Sequence, residues 1–375
     1  MTTTQQKWHK VKLEDIADFQ YGYTASAQDK NTGTKLLRIT DIVPDLIDWD
    51  TVPYCEIDEK DLKQYEINKG DILIARTGAT AGYAKLIRKV PEQSVFASYL
   101  IRLAMKAGVS PEFVGRIIES EAFKQFVKSH AGGSAQPHAN APVLKNFELL
   151  LPDLTTQLSV ADMLAIYDDL IENNARRIKI LEQIAQATYT EWFVKSDKEI
   201  PDGWVMKKLG ETIDISRGKN ITRNTIRKGN VPVVAGGLEP AYFHDTANTE
   251  APVITISASG ANAGFVNLYM EDVWASDCSY IDKSVTPFVF YYFLLLKTRQ
   301  IEVTGLQRGS AQPHVYPKDL AELQVMSVPD DVLERFDELV SPIFSAIGNF
   351  KHRNRVLRNS RDLLLPKLVT GEIKV

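Results

Sequence analysis

Gly133-Ser134-Ala135-Gln136-Pro137-His138 recurs, residue for residue, as Gly309-Ser310-Ala311-Gln312-Pro313-His314. Six identical residues 176 positions apart, in a chain of mixed composition, mark a tandem duplication. Other landmarks follow in the same order. Lys12-Leu13 through Gly22 aligns with Lys208-Leu209 through Gly218, placing Asp18 on Asp214. Ile72 to Gly78 aligns in pattern with Ile254 to Gly260, Gly82 falls on Gly264, and Leu151-Pro152-Asp153 falls on Val328-Pro329-Asp330. The offset shrinks from 196 to 182 to 176 along the chain, so the copies differ by deletions near their beginnings. Two copies diverged most at the front suggest two readers of two different things.

At 375 residues the chain has room for two or three domains, each with its own core. No apolar run approaches the ~20 residues a membrane span requires, and the first residues lack a signal-peptide core. Phe288 to Leu296 is strongly apolar but short, and reads as a buried helix. Cys55 and Cys278 sit at unmatched places in the repeat with no metal-ligand spacing around them. Neither a disulfide framework nor a zinc site follows, and a reducing cytoplasm is expected.

The net charge of −4 argues, taken whole, against a nucleic-acid partner. Its distribution softens that. Residues 153–199 carry 5 basic and 9 acidic side chains, which accounts for the deficit and leaves the remainder near neutral. From Arg217 to Lys228 the chain carries Arg217, Lys219, Arg223, Arg227 and Lys228, with no acid between Asp214 and Glu239. That window is either a basic patch or a solvated loop.

Each repeat divides into a β-rich front and a helical back. Ile72 to Ala75, Leu36 to Ile42, Val231 to Val234, Phe147 to Leu151 and Leu323 to Val328 read as strands. Pro111 to Lys128 has helical spacing, with Thr286 to Thr298 as its counterpart. After Pro152 and Pro329 the pattern lengthens. Leu164, Tyr167, Ile171, Asn174, Ile178, Leu181, Ala185 and Thr188 step by three and four, as do Val340, Ile343, Ile347, Phe350, Asn354, Leu357, Arg361 and Leu364. That alternation is a coiled-coil seam. A shift of 176 puts Leu164 on Val340, Ile171 on Ile347 and Leu181 on Leu357, in register with the hexapeptide. Asn174 and Asn354 each place one amide in a seam, where a buried Asn fixes register at a cost in stability. Pro342 is expected to kink or break the second helix near Ser341, and Pro366 to end it. Helices separated by a globular domain meet only by folding back, which predicts an antiparallel pair. At ~1.5 Å per residue, about 30 residues make a strut of roughly 45 Å.

The fold class expected is therefore α+β: two repeated globular domains separated by two long helices packed as an antiparallel coiled coil, with pseudo-twofold symmetry. The expected boundaries are 1–152 and 200–329 for the globular domains, and 153–199 and 330–375 for the helical spacers.

Catalytic signatures are missing. There is no Gly-x-x-x-x-Gly-Lys-Ser/Thr and no Gly-x-Gly-x-x-Gly opening a helix. No Asn-Pro-Pro-aromatic tetrapeptide, His-x-x-x-His or Cys-x-x-Cys occurs either. His138 and His314 repeat, but no duplicated acid or serine stands at an obvious catalytic spacing from them. The hexapeptide has two compatible roles. Its glycine and proline punctuate a turn, and Gln136 and Gln312 could touch phosphate or a base edge. The Thr77-Gly78 and Ser259-Gly260 loops could bring backbone amides to phosphate or simply turn the chain. Arg76 has no counterpart, since Ala258 precedes Ser259, as expected of a position that reads sequence in two different readers.

In these residues the chain resembles the DNA-specificity subunit of type I restriction–modification enzymes. The paired Gly-Ser-Ala-Gln-Pro-His loops each run into a strand closed by Leu-Pro or Val-Pro and then a long helix. Gly70-Asp71-Ile72-Leu73-Ile74-Ala75-Arg76-Thr77-Gly78, Trp204 to Leu209 and Leu365-Pro366-Lys367-Leu368-Val369-Thr370-Gly371-Glu372-Ile373 carry the resemblance over essentially the full length. It implies a non-catalytic adaptor for double-stranded DNA with a bipartite, asymmetric site. Each target-recognition domain would read one half, while the helices set the spacer and dock two methyltransferase subunits. Nuclease/translocase subunits would complete the restriction enzyme. S-adenosylmethionine, ATP and Mg2+ would belong to those partners, none being bound by this chain. The acidic first helical region suits protein docking better than DNA contact. Phosphate contacts position such domains and base contacts specify. The residues expected at DNA are Lys35, Arg38, Arg76, Thr77 and Gln136 in the first domain. In the second they are Arg217, Lys219, Arg223, Arg227, Lys228, Ser259 and Gln312. The competing class is a coiled-coil scaffold with two duplicated protein-interaction domains.

Overall fold

The computed structural model describes residues 8–44, 46–130, 139–194, 201–222, 224–237, 240–309 and 313–373. The chain divides into two compact units, one of residues 1–173 with 353–375, the other of residues 174–352. Two 40-residue helices, Leu154–Phe193 and Asp330–Val369, are therefore each shared between the units.

In the first unit, β1 (His9–Lys12) pairs antiparallel with β8 (Glu148–Leu151), joining the ends of the globular part. β2 (Ala17–Tyr21), β7 (Leu100–Met105), β4 (Ile72–Ala75) and β5 (Ala84–Leu86) form an antiparallel sheet in that order. β3 (Lys35–Leu37) and β6 (Ser94–Phe96) pair in parallel beside it. β4 is apolar throughout because it is buried on both faces. Ile72 and Ile74 enter one core with Leu103 and Phe113, while Leu73 and Ala75 enter another with Leu37 and Phe96. Each large aliphatic or aromatic side chain so buried contributes about 1.5–3 kcal/mol.

The helical segment predicted over Pro111 to Lys128 is two helices, Pro111–Ile118 and Glu121–His130. Ser110 caps the first by accepting the Phe113 amide at 3.2 Å, and Ser120 accepts from the Phe123 amide at 3.4 Å, so a serine starts each. Only the front of the predicted Leu36 to Ile42 strand is extended. A turn of helix, Ile39–Ile42, follows because the Asp41 carboxylate accepts the Arg38 amide at 2.8 Å.

This unit's core closes on the long helices. Val160, Ala161 and Leu164 of the first and Leu365 and Leu368 of the second are buried in it. Asp168 meets Arg361, and the Asn354 side chain donates to the Ile171 carbonyl at 3.2 Å. Contacts whose numbers rise on one helix as they fall on the other make the pair antiparallel here.

The second unit repeats the plan. β9 (Val205–Lys208) pairs with β17 (Gln324–Ser327). β10 (Ser216–Arg217), β16 (Cys278–Asp282), β13 (Val253–Ser257) and β14 (Val266–Tyr269) form the antiparallel sheet. β11 (Val231–Val234) pairs in parallel with β15 (Trp274–Ala275) and antiparallel with β12 (Tyr242–His244). Backbone hydrogen bonds recur at equivalent places. Leu13 N to Phe147 O (3.0 Å) matches Leu209 N to Leu323 O (2.8 Å), and Gly22 N to Leu100 O (3.1 Å) matches Gly218 N to Cys278 O (2.8 Å). Gly82 N to Ala75 O (2.9 Å) matches Gly264 N to Ser257 O (2.8 Å). Gly22 and Gly218 are required alike, since a Cβ would stand 2.2 Å from the carbonyl oxygens of Ala97 and Ser276.

The apolar helix, bounded at Val289–Thr298, is buried as expected. Tyr291 joins Tyr189 and Phe193 of the first long helix and Phe336 of the second in an aromatic cluster, with Phe193 and Phe336 edge-on at 4.9 Å. Such pairs add about 0.5–1.5 kcal/mol beyond burial.

Of the seam positions, Leu164, Ile171, Asn174, Val340, Ile347 and Asn354 are buried. Ile178 and Leu181 pack half-buried on the second unit's core, and Leu357 is half-buried. Neither proline ends the helix. The second helix continues through Pro342 and past Pro366 to Val369. Pro342 and Glu338, one turn before it, are both exposed, and a carbonyl left without its helical donor costs little on a face open to solvent. The helix stops at Gly371, whose φ of +72° only glycine adopts readily and which packs on the Trp8 indole.

Candidate nucleic-acid interface

In the first unit, β2 ends at Tyr21 and β4 runs out into Arg76. Backbone bonds fix this corner: Arg76 N donates to Tyr99 O at 3.0 Å, and Ala139 N donates to Arg76 O at 2.8 Å. The Arg76 guanidinium lies 4.8 Å from the centre of the Tyr21 ring and donates to the Ser98 carbonyl at 3.3 Å. The Tyr21 hydroxyl accepts the Ala141 amide at 3.1 Å, so the ring is held while remaining 41% exposed. Tyr99 is 61% exposed beside it. Thr77 leads into the turn Gly78–Thr80, where Gly78 has a φ of +76°.

The second unit builds the same corner from different side chains. Ala258 N donates to Asp277 O (3.1 Å) and Val315 N to Ala258 O (3.0 Å), repeating the bonds around Arg76. Gly260, with a φ of +79°, donates to Pro313 O at 3.1 Å, tying this loop to the end of the second hexapeptide. Arg217 occupies the place of Tyr21, Ser259 that of Thr77 and Asp277 that of Tyr99. The Asp277 carboxylate accepts Arg217 at 3.0 Å through one oxygen and the Ser259 hydroxyl through the other.

Lys219 is exposed, its backbone held by Ala275 O at 2.9 Å and by the Trp274 indole at 2.8 Å. Arg227 and Lys228 are exposed further along the loop. Arg227 pairs with Asp245 at 2.9 Å, and its amide donates to Nδ1 of the buried His244 at 3.0 Å. The window that looks uncompensated in sequence is thus partly neutralised, because the fold brings Asp245 and Asp277 to it from distant positions.

Two expected DNA contacts are otherwise engaged. Lys35 is 2% exposed. Its ammonium donates to Val52 O at 3.3 Å and lies 4.5 Å over the Tyr54 ring, which makes it part of the core. Arg38 forms a two-point pair with Asp41 at 3.0 Å, closing its own helix turn while staying part-exposed. Gln136, Arg223 and Gln312 lie outside the described residues. The structure therefore groups Arg76 with Thr77, and Arg217 with Lys219 and Ser259, and sets Arg227 and Lys228 beside His244. Sequence reasoning missed Tyr21, Tyr99 and Asp277. The signal for the first was available, since Tyr21 precedes Gly22 as Arg217 precedes Gly218.

Among the described residues no group of His, Cys, Asp and Glu is placed to hold a metal ion, and no helix is long and apolar enough to cross a membrane.

The family model for the type I restriction modification DNA specificity domain matches residues 5–183 and 201–349, one match for each repeat. The MjaIX specificity subunit of a type I restriction enzyme from Methanocaldococcus jannaschii is 26% identical, covering 98% of this chain and 94% of that protein. The EcoKI specificity subunit of Escherichia coli K12 is 25% identical over 52% of this chain and 45% of its own length. The crystal structure of a type I restriction–modification S subunit from M. genitalium shares the fold, with a TM-score of 0.56 at 16% identity over 98% of both chains. With both repeats matched and the duplicated frame in place, the chain belongs to the family of type I restriction–modification DNA specificity subunits.

Proposed function

We propose that this specificity subunit reads a bipartite site in double-stranded DNA, each unit engaging one half. The observation carrying this reading is the corner built twice: one backbone hydrogen-bond frame presents Tyr21, Arg76 and Tyr99 in one unit and Arg217, Ser259 and Asp277 in the other. A shared frame with divergent side chains, exposed or half-buried, suits two readers of different sequences. The long helices, each divided between the units, set the spacer and dock two methyltransferase subunits. The chain itself does no chemistry. S-adenosylmethionine, and for restriction ATP and Mg2+, are carried by the methyltransferase and nuclease/translocase partners, in the cytoplasm where the DNA lies.

The near-neutral charge, with Asp245 and Asp277 neutralising part of the basic loop, favours a second reading: a scaffold with two protein-interaction domains. Binding to duplex DNA at two salt concentrations, with the methyltransferase partner present, decides between them. Phosphate engagement predicts a steep loss of affinity as salt rises. Absence of DNA binding at low salt would support the scaffold.

A further inference from the structure

Each unit sets one arginine at the same corner of the same sheet, but takes it from a different strand. In the first, Arg76 follows β4 and leans over Tyr21, the residue equivalent to Arg217. In the second, Arg217 itself ends β10, and the position of Arg76 is the small Ala258. We infer that Arg76 and Arg217 are the base-reading residues of their units, each directed at a guanine, with Tyr21 and Asp277 as the positioning residues that hold them. This rests on the proposed reading of DNA and names the side chains and the base class within it.

Three observations support it. Both guanidinium groups are anchored on one side only. Among the described residues, Arg76 makes one side-chain hydrogen bond, to Ser98 O, and Arg217 one, to Asp277. Donors remain for a ligand, and the Arg217 side chain is 40% exposed. The anchors are themselves fixed. The Tyr21 hydroxyl is held by the Ala141 amide, and the Asp277 carboxylate is fixed by a bond to each oxygen, from Arg217 and Ser259. A guanidinium stacked on a ring or clamped by a carboxylate has surrendered side-chain freedom before binding, which favours a two-point contact. The acceptor pair that matches two parallel N–H groups in the major groove is O6 and N7 of guanine. Lys219 and Lys228, exposed point charges, suit phosphate instead.

The test selects duplexes from a sequence-randomised pool with the full chain bound to its methyltransferase partner. The same selection is run with Arg76→Ala, Arg76→Lys, Arg217→Ala, Arg217→Lys and Asp277→Ala. The wild type is expected to choose a guanine in each half-site. Arg76→Ala should lose that preference at one position in one half only, with roughly ten- to a hundred-fold weaker binding of the wild-type site. Arg217→Ala should do the same in the other half. In both, the untouched half keeps its bases, which shows that the variant is folded. The lysine variants keep the charge but should lose the discrimination. Asp277→Ala should relax the same position as Arg217→Ala, and the two losses should not add. Uniform weakening across all duplexes, with a shallower salt dependence, would make these arginines phosphate contacts and overturn the assignment while leaving the DNA-reading function intact. A wild-type complex that selects no sequence in either half would overturn both.

Discussion

Arg361 of the second long helix donates to the Asp168 carboxylate of the first at 2.7 Å. The same carboxylate takes Arg88 at 2.8 Å and the buried Arg116. One acid thus joins the returning helix to the globular part of its unit. Burial alone would raise the Asp168 pKa, but the charges of Arg116 and Arg88 and hydrogen bonds from Arg88 and Arg361 outweigh it, so the group stays below the ordinary aspartate range. Burial draws Arg116 down as well, yet arginine remains charged at any working pH.

Asp168→Ala should therefore destabilise this unit by about 3–5 kcal/mol, because it strands a buried guanidinium. A pKa depressed by folding gives stability that is fully present above the unfolded value, near 4, and is lost as pH falls through the lower folded value. Urea unfolding from pH 7 to pH 3 checks both points. The gap between the wild type and Asp168→Asn should narrow only at the acid end, and a constant gap would remove the electrostatic account.

Gly218→Ala and Gly22→Ala should each destabilise, near the upper end of the ~1–3 kcal/mol typical of overpacking, since the new methyl meets a backbone carbonyl that cannot swing away. Equal losses in the two repeats, read by denaturant titration, would reflect the common frame. A neutral result at either position would mean that the strand is not held where described.

Lys35→Met should leave DNA affinity and its salt dependence unchanged, because the ammonium is already committed inside the first unit. Lys219→Ala and Lys228→Ala should each weaken binding evenly across sequences and lower the salt slope by about one. Fluorescence anisotropy over a salt series separates these outcomes. A salt-slope change from Lys35→Met would restore it as a DNA contact.

Both cysteines should resist thiol reagents in the native protein. Burial pushes the Cys278 thiol up to about 12 and raises Cys55 as well, so neither offers thiolate near neutrality. An aromatic disulfide reagent should report both thiols only after unfolding. Rapid native reaction at either would contradict the buried placement.

The duplication, the α+β class, the long helices and the central strands were legible in sequence because repetition and period can be read without knowing which distant residues meet. What was not legible depends on pairings between distant positions. Lys35 looked like a surface cation until Val52, Tyr54 and Glu92 surrounded it. The basic loop looked uncompensated because Asp245 and Asp277 lie far along the chain. Pro342 looked set to kink or break its helix, but the helix runs on through it, and on an exposed face water can serve an orphaned carbonyl. The corner of Tyr21, Arg76 and Tyr99 comes from three separate segments, and only the shared register with Arg217 hinted at it.

The most direct test of the central claim uses the passage of both helices between units. One heptad is inserted after Asn173 and one after His352, where each helix leaves one unit for the other. Methylated adenines are then mapped in cells carrying the wild-type or the lengthened chain. The account predicts the same two half-sites separated by a longer spacer. Altered bases in either half-site, or an unchanged spacer, would contradict it.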